Sequence, residues 1–136
     1  MADHFIFSDE EFEQSFAEGT FDPALFNHEA HLRLAWIHIR RYGEEQAITN
    51  ICSQLVNFVT ALGARSKYNM TLTIAAIKAV HHFIQRSNPA SFDEFIRKFP
   101  RLKNNFRELI SSHYSMNVFQ SEQAKEMYLE PDLLAF

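Results

Sequence analysis

Glu44-Glu45-Gln46-Ala47-Ile48-Thr49-Asn50-Ile51-Cys52-Ser53-Gln54-Leu55-Val56-Asn57-Phe58-Val59-Thr60-Ala61-Leu62-Gly63 decides the fold class. Ala47, Ile48, Ile51, Cys52, Leu55, Val56, Val59 and Leu62 recur at helical spacing and form one apolar stripe, and Gly63 supplies the stop. Upstream, a helix is predicted from about Asn27 to Tyr42, ending before Gly43. Further upstream, Ser8-Asp9-Glu10-Glu11 is a capping box that opens a helix carrying Phe12 and Phe16 four apart, with Gly19 at its end. Asp22-Pro23 opens a turn or a short helix between them.

Downstream, a fourth helix runs from about Asn69 to Arg86, where Ser87-Asn88-Pro89 breaks it. Ser91-Phe92-Asp93-Glu94 is a second capping box, for a short helix ending at Pro100. Phe106, Leu109 and Ile110 mark a further helix over Leu102 to His113, and Ser121 caps a last one through Tyr128, stopped by Pro131. No segment alternates strictly between paired turn signals, as a half-buried strand does. The prediction is an all-α fold, a compact single-domain helical bundle of about six or seven helices over residues 1–136.

The composition agrees. With 136 residues, 46% hydrophobic and 22% charged, and only three glycines and four prolines, the chain is neither disordered, nor collagen-like, nor a disulfide scaffold. One cysteine, Cys52, excludes an internal disulfide and a Cys-based zinc cluster, and its place in an apolar stripe reads as core. The stretch Met1 to Glu10 has no basic region followed by a long apolar core, so no secretory signal is expected. No apolar run approaches the ~18–20 residues of a membrane span. These readings predict a cytoplasmic protein. The net charge of −4 disfavours general nucleic-acid affinity. Arg97, Lys98, Arg101, Lys103 and Arg107 could meet nucleic acid or an acidic partner, but a solvated face is the simpler reading.

Chemistry concentrates in three places. In His28-Glu29-Ala30-His31-Leu32-Arg33-Leu34-Ala35-Trp36-Ile37-His38, a turn of ~100° per residue puts all three histidines in or beside the core-facing arc and sends Arg33, Arg40 and Arg41 to solvent. His28 and His31, three apart, could share one metal ion or act together on a substrate. Glu29 points off that face, and the spacing is one residue too short for a zincin helix. The second place is Arg65-Ser66-Lys67-Tyr68-Asn69-Met70-Thr71-Leu72-Thr73, where Asn69 is the expected N-cap with two bases before it. In the helix that follows, Thr73 falls within the apolar arc. His81 lies at the edge of that arc and is read as site-facing, whereas His82 joins Thr71, Lys78 and Arg86 on the polar face and is left in solvent. The third is His113-Tyr114-Ser115, with His113 one turn beyond Leu109 and Ile110. His4 is placed in an N-terminal tail.

Together, Phe26 to Trp36, Lys67 to Thr73, His113-Tyr114-Ser115 and Pro131-Asp132-Leu133 resemble a family of small uncharacterised bacterial all-α proteins. That family's pattern is a His-x-x-His-Leu helix, a Tyr-His-Glu-Thr-x-Thr segment, a Tyr-Ser pair and a terminal Pro-Asp. The resemblance implies that His28, His31, Tyr68, Thr71 and Thr73 belong to one site, and it carries no activity. The chain departs from the pattern at Asn69 and Met70, which stand where the family has His-Glu.

The sequence therefore leads to an internal, His-lined polar pocket for a small molecule or a divalent transition metal. His28, His31 and Tyr68 are the candidate catalytic residues, and His28 and His31 the candidate metal ligands. Asn69, Thr71, Thr73, His81 and His113 are the candidate ligand-binding residues. The alternative is a non-catalytic helical interaction module, homodimeric in one form, whose histidines are structural.

Overall fold

A computed structural model describes residues 3–136; Met1 and Ala2 of the N-terminal stretch lie outside the described residues. The fold is all-α: eight α-helices and three short 3-10 turns, with no strand among the described residues. The chain divides into two compact units, residues 1–68 and 69–136. Tyr68 runs directly into Asn69 with no linker-like stretch rich in Pro, Gly or Ser, which is why the sequence reads as one domain.

The first unit holds α1 (Asp9–Glu18), α2 (His28–Tyr42) and α3 (Glu44–Ala61). Its capping box forms as expected: the Glu11 N–H donates to the Ser8 hydroxyl at 3.2 Å and the Ser8 N–H to a Glu11 carboxylate oxygen at 2.9 Å. Gly19 closes the helix in the left-handed region, at φ 76°. Ser8→Ala is expected to lower stability by about 1 kcal/mol in urea denaturation, and a change below ~0.3 kcal/mol would deny the cap its role. The phenylalanines fill the space between elements. Phe12 lies 4.7 Å from Phe21, and Phe16 stacks on Phe58 at 4.8 Å, centroid to centroid. α2 packs against both α1 and α3. Every residue from Leu32 to Ile39 is buried, Arg33 and His38 included. A helix enclosed on all sides for two turns has no solvent face, so the arc that was to take Arg33 to water does not exist over this stretch.

The second unit is built on α4 (Met70–Ile84), followed by α5 (Phe92–Lys98), α6 (Arg101–Asn104), α7 (Phe106–Ser111) and α8 (Glu122–Glu126). Its core gathers Ala75 of α4, Ile110 of α7, Tyr114, Val118 and Ala124 of α8. The helix expected over Leu102 to His113 is two pieces. At Asn105 the backbone leaves helical values (φ −130°, ψ 34°). Asn104 and Asn105 are weak helix formers because their amides compete for the backbone. The last helix is also shorter than expected, ending at Glu126, because Met127 turns extended.

Candidate functional site

Within the first unit, the polar groups serve a network that the sequence reading did not foresee. His4 is fully buried in a 3-10 turn, His4–Ile6, and is not part of a loose tail. Its Nε2 lies 2.8 Å from Glu29 Oε1, and its Nδ1 lies 3.3 Å from Arg33 Nη1. A guanidinium can only donate, so Nδ1 accepts and the proton sits on Nε2, where it serves Glu29. Arg33 also donates to the His4 carbonyl (2.6 Å), the Phe7 carbonyl (2.8 Å) and Asp9 (2.9 Å). Burial is the main cause that lowers the His4 pKa below its usual range, against the pull of Glu29. The N-terminal turn thus covers the face of α2 that was assigned to solvent.

The candidate catalytic and metal pair falls in this unit but is unequally placed. His28 sits in the first turn of α2 and is exposed, not core-facing. The His31 ring lies 5.6 Å from that of Phe26, and its Nε2 is buried with no hydrogen-bond partner among the described residues. Burial, helped by His28, drops the His31 pKa to about 4, so the imidazole is neutral. His38 is buried as well, its Nδ1 3.4 Å from the Asn50 amide nitrogen. Tyr68 is buried with the Arg65 guanidinium 5.1 Å from its ring centroid. Cys52 is only half-buried, not full core.

In the second unit, the conspicuous polar side chains at the start of α4 hold the fold together. Asn69 accepts from the Leu72 N–H at 3.0 Å as the N-cap, and its amide donates to the Val118 carbonyl at 2.9 Å. Thr73 donates back to the Asn69 carbonyl at 2.8 Å. Thr71, read as a polar-face residue, is fully buried: its hydroxyl donates to the Met127 carbonyl (2.8 Å) and accepts from the Leu129 N–H (3.1 Å). Tyr114 donates to the Leu129 carbonyl at 2.8 Å, and Ser115 binds Asp132 through both its N–H (2.9 Å) and its hydroxyl. Thr71, Tyr114 and Ser115 therefore fasten the stretch from Met127 to Asp132 onto α4 and the segment that follows α7, while Asn69 ties α4 to Val118.

That fastening shapes a cleft of about 490 Å³, within the usual range for small-molecule sites. Its first wall is a stripe of α4 and the turn after it: Ala79, His82, Phe83 and Arg86. The second comes from Leu109, Ser112 and His113 at the end of α7, and the third from Leu134 to Phe136, with Arg101 at the start of α6 completing the lining. His113, a candidate from the sequence, is buried; its Nδ1–H donates to the Leu134 carbonyl at 2.6 Å, and its ring stacks on Phe136 at 4.0 Å and 20°. A carbonyl only accepts, so this bond places a proton on Nδ1.

His82, set aside as solvated, lines this cleft, and His81 does not. His81 is half-buried, and its Nδ1 has no hydrogen-bond partner among the described residues. The signal that could have found His82 was its spacing from Arg86. The Arg86 Nε donates to His82 Nε2 at 2.9 Å, which puts the His82 proton on Nδ1. Burial and the Arg86 charge lower its pKa, so this imidazole too is neutral. Among the described residues, no carboxylate side chain lines the cleft. Among the described residues, neither Arg86 nor Arg101 pairs with one, whereas Arg97 of the same basic stretch pairs with Asp93 at 2.8 Å.

Among the described residues, no group of three or more His, Cys, Asp or Glu side chains is placed to hold a metal ion. No helix among them is long and apolar enough to cross a membrane. No protein-family model, curated protein or solved structure matches the chain.

Proposed function

We propose that this chain binds a small organic anion in the cleft beside α4, in the second unit. One observation carries the reading: Arg86 and Arg101 line a cleft of about 490 Å³ that has no carboxylate side chain in its walls. Guanidinium groups with no carboxylate side chain beside them favour a ligand that brings negative charge, and their planar forks suit carboxylate or phosphate oxygens. The neutral His82 offers an Nδ1–H donor without adding charge, and His113 presents its ring at the same wall. The role is binding. Of the residues first singled out, His113 lines this cleft, while His28, His31 and Tyr68 belong to the other unit.

The test is thermal denaturation with octanoate, benzoate and phenyl phosphate at millimolar concentration. At least one is expected to raise the Tm of the native chain by 2 °C or more, through preferential binding to the folded state. An Arg86→Gln/Arg101→Gln double variant is expected to keep the unliganded Tm within about 1 °C, since both side chains are exposed, and to lose the ligand response. An equal response in the double variant would mean that the anion binds elsewhere than in this cleft.

A further inference from the structure

We infer that the ligand is an amphipathic carboxylate, a single acidic head on an apolar body roughly 10 Å long; this rests on the reading that the cleft is a ligand site. The α4 wall is graded along its length. Ala79, His82, Phe83 and Arg86 follow one another at i, i+3, i+4 and i+7, so at ~1.5 Å per residue the wall passes from a buried methyl group to a guanidinium in about 10 Å. The facing walls continue the apolar end. Leu109 is buried beside it, Leu134 presents an exposed isobutyl group, and Phe136 lies flat on the His113 ring. The Ser112 hydroxyl is turned inward to the Leu109 carbonyl at 2.6 Å, which removes a donor from this side.

A bare inorganic anion would use only the arginine end and leave the apolar walls wet. A polyphosphate needs what the cleft lacks, a glycine-rich loop of free N–H groups or a lysine. A carboxylate with an unbranched or aromatic body satisfies both ends at once, because apolar area leaves water as the body settles against Phe83, Leu109 and Leu134. The guanidinium pair then fixes which end of the ligand enters.

Isothermal titration of the full chain with acetate, hexanoate, octanoate, octanamide and inorganic phosphate tests this, with octanoate kept below its micelle concentration. Octanoate is expected to bind at least 100-fold more tightly than acetate and at least tenfold more tightly than octanamide, its uncharged counterpart. Arg86→Gln/Arg101→Gln should bring octanoate down to the octanamide level. Leu134→Asn, a change at an exposed side chain, should weaken octanoate several-fold and leave acetate unchanged. If phosphate or acetate binds as tightly as octanoate and through the same arginines, the anion site stands and the amphipathic ligand is wrong. If none of the probes binds, or if octanoate binds equally to the native chain and the double arginine variant, both readings fall.

Discussion

Arg33→Ala is expected to lower the stability of the chain by about 3 kcal/mol, because it strips buried acceptors of their donor at ~1–3 kcal/mol each. The side chain is nearly inaccessible, donates to two backbone carbonyls, His4 Nδ1 and Asp9, and stands over the Phe12 ring at 5.1 Å. Its loss leaves the carbonyls of His4 and Phe7 without these donors and the N-terminal turn without its anchor on α2. Arg33→Lys restores the charge but not the fork, so it should recover less than half of the loss. Urea denaturation followed by far-UV circular dichroism measures both. A loss below 1 kcal/mol for Arg33→Ala would mean that the turn is held by other contacts.

Acid is expected to destabilise the chain well before its carboxylates titrate, and His31 is the largest reason. Its pKa is 6.5 in the unfolded chain and about 4 in the fold, lowered first by burial and then by His28. Folding therefore favours the neutral ring. Its contribution to stability is complete above pH 6.5 and is lost as the pH falls towards 4, because the unfolded chain takes up the proton first. At about 1.4 kcal/mol per pKa unit, this reaches up to ~3 kcal/mol at pH 4. His4 and His38, both lowered by burial, act in the same direction. His31→Leu removes both the titrating group and a buried nitrogen with no partner. It should leave stability at pH 7 equal or higher and flatten the slope between pH 6.5 and 4.5. An unchanged slope in His31→Leu would contradict the burial of this ring.

How far the sequence revealed the fold depended on how local each cause was. The Ser8 capping box, the Gly19 stop and the Asn69 cap are set within a few residues, and each lies where the spacing puts it. Of the α3 stripe, Ala47, Ile51 and Leu55 are buried, whereas Leu62 is exposed and Phe58, outside the predicted stripe, is buried in its stead. Arg33 was misplaced because a helical periodicity assumes that a long cation faces water, and His4 because a turn of three residues leaves no periodic signal. What covers Arg33 is a 3-10 turn more than twenty residues away, which has no periodic signature. Asn69 and Thr71 attracted attention as polar residues at the start of an apolar helix. Their partners, Val118, Met127 and Leu129, come from the far end of the chain, and sequence spacing cannot reveal such pairings. The cleft was hidden for a related reason. His82 and Arg86 share a polar stripe that reads as solvated until Leu134 to Phe136 fold across from it.

A ¹H–¹⁵N correlation titration of the native full chain with octanoate locates the ligand site residue by residue. The expected result is a saturating set of shifts confined to three stretches, 79–86, 109–113 and 134–136, with the Arg86 and Arg101 Nε signals among the largest. Shifts centred on His28 and His31, or scattered without saturation, would contradict a ligand site in this cleft.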